Sequence, residues 1–268
     1  MGSRLLAACP GGTAYVPSPT GCYLTQRAPY RRKTTAGGGA GVRTRSEPMS
    51  TQYTLLNYLL EHRPTLDVDY QWNYTLDRLP VKYVDTDGSC VSRNIKLRQF
   101  LSDALKRSDR KLQFEICRWY VSEWGGVRAN KGETISRYVE ASSHELVSGP
   151  VTGVASWSKI LCLRDPKSYT IFDARVSMSL NSLQRLHNVD KPRLFLMLQS
   201  RNAAVRRAQE VIRRTDLKSW LPIPARDVYR TYLRTVQQVV ANSGGALDLQ
   251  TAEMILFARA EELAIVWH

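Results

Sequence analysis

Lys159 and Asp173, in the middle of the chain, are residues of types that can do chemistry. A lysine amine is a nucleophile once it has lost its proton, and burial favours that loss because it penalises the ammonium. A fixed carboxylate can stabilise positive charge on a reacting group or activate water. Each has a structural alternative, since Lys159 can be a solvated lysine on an outer helix face and Asp173 can serve only as a helix cap.

The elements around this pair should bring the two residues to neighbouring helix ends. Gly149, Pro150 and Gly153 predict a tight turn, because glycine tolerates positive φ and proline cannot continue a helix. The next helix starts near Val154, and Lys159 lies off the centre of its apolar side, which consists of Val154, Trp157, Ile160, Leu161 and Leu163. Asp165-Pro166 ends this helix. Residues 169–172 suit an extended segment, and Asp173 is then the predicted N-cap of a helix over 174–183.

The ordered pattern of turn, lysine helix and aspartate resembles the helix-hairpin-helix DNA glycosylase superfamily. Its hairpin corresponds to Val151-Thr152-Gly153-Val154-Ala155, and its aspartate motif to Phe172-Asp173-Ala174-Arg175-Val176. The segment over 158–176 is most similar to bacterial proteins described as 8-oxoguanine DNA glycosylase-like. An ungapped overlay of the hairpin puts Trp157, not Lys159, at the usual lysine position. Further similarity lies in Trp124-Gly125-Gly126 and in the stretch over 253–258.

This resemblance implies an activity and a role for each matched residue. Lys159 would be the nucleophile that forms a Schiff base with the sugar, or Asp173 would activate water and leave an abasic site. The backbone N–H groups of Gly153, Val154 and Ala155 would hold a DNA phosphate. Arg175 would contact phosphate or pair with the Asp173 carboxylate. Trp124 and Trp157 are candidate walls of a base pocket, and core packing is the alternative for both.

The charge of the chain is concentrated in one region of the predicted folded part. The protein has 268 residues and a formal net charge of +14. Residues 191–240 carry 11 Lys and Arg against 3 Asp and Glu, a net charge of +8. In the helix predicted over 201–214 the apolar residues share one side, which leaves five arginines facing outward: Arg201, Arg206, Arg207, Arg213 and Arg214. Such a face suits a polyanion, so double-stranded DNA is the expected partner. A merely solvated face and an acidic protein partner are the alternatives.

Helical periodicity dominates the chain and strand patterns are scarce, so we predict an all-α fold, a helical bundle with a helix-hairpin-helix-like motif. The helices that we expect before the hairpin cover 53–61, 93–106 with Ser92 as cap, 111–123, 134–140 and 143–147. After the basic helix, two more cover 226–241 and 251–264. No run of eighteen apolar residues is present, so we expect no membrane span.

Residues 1–48 differ from the rest in composition. They are rich in Gly, Pro, Ser, Thr and Arg and lack apolar periodicity, so we expect a disordered basic tail ahead of a glycosylase-like domain over 49–268. An overlong gene start is our hypothesis for the origin of this tail. The five cysteines are scattered, without CxxC spacing or a His/Cys cluster. We therefore expect no metal, no cofactor and a cytoplasmic monomer, associated with the nucleoid if the source is bacterial.

Two functions without catalysis remain open. A helical DNA-binding module would use the hairpin and the basic helix but needs neither Lys159 nor Asp173. A helical adaptor for another protein would use the basic face alone. Replacement of Asp173 separates catalysis from binding, because binding does not depend on its carboxylate.

Overall fold

The computed structural model describes residues 49–85 and 87–268. Within them the chain forms twelve α-helices and one pair of two-residue strands, which confirms the predicted all-α class. The helices before the hairpin turn are α1 Thr51–His62, α2 Leu66–Asp69, α3 Cys90–Arg107, α4 Arg110–Trp119, α5 Gly132–Glu140 and α6 Ser143–Ser148. The later elements are α7 Val154–Arg164, α8 Ala174–Leu186, β1 Arg193–Leu194, α9 Ala203–Arg214, β2 Leu221–Pro222, α10 Val228–Asn242, α11 Leu249–Ala258 and α12 Ala260–Leu263.

Helix α8 is the central element of the bundle and packs against α1, α9, α11 and α12. Its short polar residues can be buried because each finds a hydrogen-bond partner. Ser179 Oγ donates to the carbonyl of Leu256 at 2.6 Å. Asn181 exchanges two bonds of 2.9 Å with the backbone of Phe195. The N-terminus of α8, where Asp173 lies, is therefore held by a helix that is buried from Val176 to Gln184.

Several helix bounds differ from the predicted ones. Helix α3 begins three residues earlier than predicted and is capped by Ser89, whose hydroxyl accepts from the N–H of Ser92 at 3.2 Å. The predicted cap Ser92 is thus the donor, because an N-cap must precede the free N–H groups of the first turn. The prediction of one α-helix over 111–123 also needs correction. Helix α4 ends at Trp119, and the chain continues as a π-helical turn, Tyr120–Trp124.

The tail and gene-start predictions concern residues 1–48, which lie outside the described residues. Ser50 caps α1 by accepting from the N–H of Tyr53 at 3.2 Å. Among the helices of residues 49–85 and 87–268, none combines the length and the apolar character needed to cross a bilayer.

Candidate functional site

Lys159 and Asp173 line the same pocket, which measures about 30 Å³. Lys159 comes from the middle of α7, and Asp173 precedes α8. The pocket walls come from five parts of the chain: Tyr70 and Trp72, Trp124 and Gly125, Lys159, Ile171 and Asp173, and Glu253 and Phe257. The fold thus brings together the amine and the carboxylate that the sequence placed in successive elements.

Lys159 is buried, with only 4 % of its surface exposed. Its Nζ donates to the carbonyl of Ala155 at 2.7 Å. Burial lowers the pKa of Lys159, and the nearby carboxylates of Asp173 and Glu253 oppose that shift. The solvated alternative is therefore wrong for this lysine, because α7 packs on all sides and leaves no polar face at this position.

Gly125 leaves the space that the Lys159 side chain occupies. A Cβ on Gly125 would lie 2.5 Å from Cε and 2.8 Å from Cδ of Lys159. It would also lie 2.8 Å from the carbonyl oxygen of Val121, which belongs to the π-helical turn and cannot rotate away. Any other residue here would displace the lysine.

Asp173 caps α8 as predicted. Its Oδ1 accepts from the backbone N–H groups of Arg175 at 3.0 Å and Val176 at 3.1 Å. No residue within the described ranges donates a hydrogen bond to Oδ2. One carboxylate oxygen thus fixes the side chain, and the second is available for a ligand.

The extended segment before Asp173 is held by side chains instead of a sheet. Ser158, next to the lysine, accepts from the N–H of Phe172 at 3.1 Å. Tyr229 and Tyr232 donate from their hydroxyls to the carbonyls of Thr170 and Ile171, at 2.9 and 2.8 Å. These bonds fix Asp173 relative to α7, and they satisfy backbone groups that would otherwise be buried without partners.

Glu253 and Arg98 form a buried ion pair at the pocket. The guanidinium of Arg98 donates twice to Oε2 of Glu253, both at 3.2 Å, and once to the hydroxyl of Tyr120 at 3.0 Å. Burial raises the pKa of Glu253 to about 7, against the lowering effect of Arg98. A carboxyl group that can change its protonation near neutral pH therefore faces the same cavity as Lys159.

Aromatic rings form the other walls. Trp72 meets Trp124 and Phe257 edge to face, with ring centroids 6.1 and 5.3 Å apart. The Trp124 indole donates to Asn94 Oδ1 at 2.7 Å and stacks on Tyr120 at 4.2 Å. These bonds hold Trp124 at the pocket, where the sequence placed it as a candidate wall.

Arg175 lies over the ring of Phe257, with its guanidinium carbon 4.8 Å from the ring centroid. It pairs with Glu261 at 2.8 Å, so the predicted alternative of a pair with Asp173 is wrong. The reason is that the carboxylate of Asp173 turns to the helix N–H groups, while Glu261 lies one turn beyond Phe257 on the neighbouring element.

Trp157 lies at a different cavity, together with Tyr138, Leu146 and Pro150 behind the hairpin turn. Its indole donates to the carbonyl of Thr152 at 3.2 Å, and its ring meets Tyr229 edge to face at 4.7 Å. The structure therefore does not bring Trp157 to the lysine pocket. Lys159, two residues later, occupies that place because the intervening half turn of helix points the two side chains in different directions.

The hairpin turn depends on Gly153, which has φ +75°. A Cβ there would overlap the hydroxyl of Tyr138, so both the backbone conformation and the space require glycine. The N–H of Val154 donates to the carbonyl of Val151 at 3.0 Å. Within the described part of the chain, the N–H groups of Gly153 and Ala155 have no acceptor. Two of the three predicted phosphate donors are thus free to bind an anion.

The five predicted arginines are all exposed, on α9 or just before it. Arg201 donates to the carbonyl of Gly126, next to Gly125 of the pocket. Arg206 and Arg213 line a surface depression of about 490 Å³ with Arg201, Gln209 and Glu210. Arg207 and Arg214 are exposed on the same helix. None of the five has an ion-pair partner among residues 49–85 and 87–268.

Sequence reasoning missed Arg98, Glu253, Tyr70, Trp72 and Phe257 as members of the site. Glu253 and Phe257 belong to the stretch over 253–258 that carries part of the resemblance. Tyr70 and Trp72 belong to the stretch over 53–83, which is rich in aromatic residues that can stack on bases but more often pack in a core. Their roles were not assigned because nothing local indicates which helix they will face. The charged residue in an otherwise apolar run, Glu253 in α11, was the signal that could have found the buried pair.

No group of three or more His, Cys, Asp or Glu residues in the described part of the chain could hold a metal ion. Comparison of the chain with protein-family models, with curated proteins and with solved structures gives no significant match.

Proposed function

We propose that this chain is a monomeric DNA glycosylase that removes a damaged or modified base from a nucleotide turned out of the duplex. The observation that carries the proposal is the shared pocket of Lys159 and Asp173. Its aromatic walls suit a planar base, and the Glu253 carboxylate favours a base edge with N–H groups. Oxidised guanine is the base that the family resemblance favours. Such a substrate would associate a bacterial chain with the nucleoid.

In the lysine route, the lone pair of Lys159 Nζ attacks C1′ of the sugar. The N-glycosidic bond breaks, its electron pair leaves with the base, and the base takes up a proton. Opening of the sugar ring gives a Schiff base, and β-elimination of the 3′ phosphate with loss of a C2′ proton then cuts the strand. The amine must be neutral to attack, and burial supports this because it lowers the pKa of Lys159.

In the water route, Asp173 accepts a proton from water as the water oxygen bonds to C1′. The N-glycosidic bond breaks, its electron pair leaves with the base, the base takes up a proton, and an abasic site remains. In both routes positive charge develops on the sugar, and a carboxylate held by two backbone N–H groups is suited to stabilise it. The free Oδ2 of Asp173 is the atom that would stabilise this charge. Only the lysine route links protein to DNA, so the two routes can be told apart.

A base requires the pocket to open, because a cavity of about 30 Å³ holds water only. Trp72 and Phe257 are half-buried, and Phe257 is covered by Arg175. We expect these side chains to move outward when a nucleotide enters. The Arg175 guanidinium could then exchange Glu261 for a DNA phosphate.

The DNA backbone would be held by the hairpin turn and by the arginines on and before α9. The N–H groups of Gly153 and Ala155 offer a phosphate site that reads no sequence. Arg201, beside Gly126, and the arginines of α9 would add affinity that depends on salt.

The test uses the full chain with duplexes that contain 8-oxoguanine, uracil or no damage, each with and without sodium borohydride. We expect a covalent complex on one damaged duplex that disappears in Lys159→Gln. We also expect Asp173→Asn to slow base release by about 100-fold or more while DNA affinity is kept. Asparagine still caps a helix, so this variant should fold.

Matched controls are available in the loop between α7 and α8. Lys167→Gln removes an exposed lysine, and Asp165→Asn changes an aspartate that also accepts from two backbone N–H groups, those of Lys167 and Ser168. Both controls should retain full activity. Base release without trapping would leave Asp173 as the catalytic group and remove Lys159 from the mechanism.

A DNA-binding module without chemistry is the second candidate. The five exposed arginines, which form no ion pair within the described part of the chain, and the small pocket favour it. Absence of base release from every damaged duplex, together with salt-dependent duplex binding, would select this candidate. Failure to bind DNA at any salt concentration would instead favour an adaptor for an acidic protein.

A further inference from the structure

A basic cavity of about 460 Å³ shares no lining residue with the Lys159 pocket. It lies between the β1–β2 pair and the N-terminal half of α10. Its wall from the strands contains Arg193 and the segment over 221–224, and its wall from α10 contains Arg230, Thr231 and Arg234. We call it the triarginine cleft.

The backbone of the triarginine cleft is held firmly. The side chain of Gln184, buried on α8, accepts from the N–H of Arg193 at 2.7 Å and donates to its carbonyl at 2.8 Å. Leu221 donates to the carbonyl of Pro192 at 2.7 Å. Pro222 and Pro224 restrict the opposite segment further. The arginine side chains therefore extend from fixed positions.

The charge of the cleft is not balanced. Its lining has three arginines and one aspartate, Asp227, a net charge of +2. Asp227 pairs with Arg230 and, at 3.9 Å, with Arg226. The guanidiniums of Arg193 and Arg234 have no hydrogen bond or ion pair within residues 49–85 and 87–268. Arg230 and Arg234 also stand one turn apart on α10, a like-charge spacing that costs stability.

We propose that the triarginine cleft binds a phosphate group. Arginine presents paired N–H donors in a plane that matches phosphate oxygens, and three of them around one cavity suit a polyvalent anion better than a single carboxylate. The lining contains no aromatic side chain on which a base could stack. The ligand is thus recognised by its phosphate, supplied either by a nucleic-acid backbone or by a free polyphosphate.

This site does not depend on base excision, since its residues lie outside the Lys159 pocket. The test is calorimetric titration of the full chain with pyrophosphate and, separately, with an undamaged duplex. Arg193→Gln with Arg234→Gln removes the two unpaired guanidiniums. The matched control, Arg63→Gln with Arg110→Gln, removes the same charge from exposed arginines elsewhere. Thermal melting checks that both double variants fold.

We expect the cleft variant to weaken binding of at least one probe by about tenfold or more, and the control to change it little. Loss for pyrophosphate alone identifies a free polyphosphate as the ligand. Weaker duplex binding identifies a nucleic-acid backbone. Equal effects of the two double variants on both probes, or no binding of either probe by the unchanged chain, would overturn the proposal.

Discussion

Helices α7 and α9 both carry basic residues and use them in opposite ways. In α7 every residue from Ser156 to Leu163 is buried, including Lys159. In α9 only Val205, Ala208, Gln209 and Ile212 are buried, and the arginines face solvent. A charge on a helix with a polar face keeps its hydration. A charge on a helix that is surrounded loses hydration, and its chemistry changes.

Basic residues thus serve two purposes in this protein, according to the packing of the helix that carries them. The solvated arginines of α9 can provide affinity for a polyanion but no reactive group. The desolvated lysine of α7 has the lowered pKa that a nucleophile needs. Substitutions in and around the two helices should therefore change different properties of the protein.

Substitutions at the starts of α7 and α9 should differ most in their effect on the free energy of unfolding. Gly153→Ala forces a left-handed residue with a side chain against Tyr138, and we expect a loss of about 3 kcal/mol in the free energy of unfolding. Asn202→Ala removes the cap of α9, whose Oδ1 accepts from the N–H of Val205 at 3.1 Å, and should cost about 1 kcal/mol. Urea denaturation measures both. Equal losses would mean that the hairpin turn does not have the described conformation.

Removal of charge from α9 should weaken DNA binding without affecting stability. We expect the fourfold variant Arg206→Gln, Arg207→Gln, Arg213→Gln and Arg214→Gln to lose about 100-fold in duplex affinity at low salt. The slope of log affinity against log salt should fall by about one for each phosphate that the variant no longer binds. Fluorescence anisotropy at several salt concentrations measures both the affinity and the slope. An unchanged slope would place the DNA-binding surface elsewhere on the protein.

Gly125→Ala tests the space that α7 needs for its lysine. We expect a loss of about 2 kcal/mol in stability, because the new Cβ meets the Lys159 side chain and the carbonyl of Val121. Gly132→Ala is the control, since its Cβ meets only Phe114 at 3.8 Å and the residue lies in α5. The control should be neutral or slightly stabilising. If Gly125→Ala is equally harmless, Lys159 does not fill the space beside Gly125.

Glu253, the buried acid in the Lys159 pocket, should make the stability of the protein depend on pH, whereas the exposed charges should not. Burial raises the pKa of Glu253 to about 7, and an unfolded glutamate titrates near about 4.3. Between these values the folded protein binds more protons than the unfolded chain, so stability should fall as pH rises. The titratable or charged groups that interact with it are Arg98, Lys159, Asp173, Tyr70, Tyr120, Cys162 and Tyr232.

Glu253→Gln should remove this decrease, which we expect to be about 1 kcal/mol or more between about pH 5 and pH 8. Glutamine keeps an oxygen acceptor for Arg98 but cannot titrate. Urea denaturation across this range measures the effect, with Glu61→Gln, an exposed change, as the control. A pH slope that persists in Glu253→Gln would assign the titration to another group.

Prediction from sequence succeeded where the determining interactions are local. The all-α class, the cap at Asp173 and the outward arginines follow from residues within one or two turns. Helix α3 was misplaced because two serines, Ser89 and Ser92, could both cap it. For Trp157, periodicity correctly indicated burial but could not say in which cavity.

Most of the helices, the glycine turn at Gly153 and a basic face on α9 could be predicted from the amino-acid sequence, because caps, φ preferences and helical periodicity act between near neighbours. The burial of Lys159, the ion pair of Glu253 with Arg98 and the cavity that Asp173 shares with the lysine depend on tertiary packing. Burial and desolvation depend on which helices pack around a residue. That packing joins α3, α7, α8 and α11, whose residues are far apart along the chain.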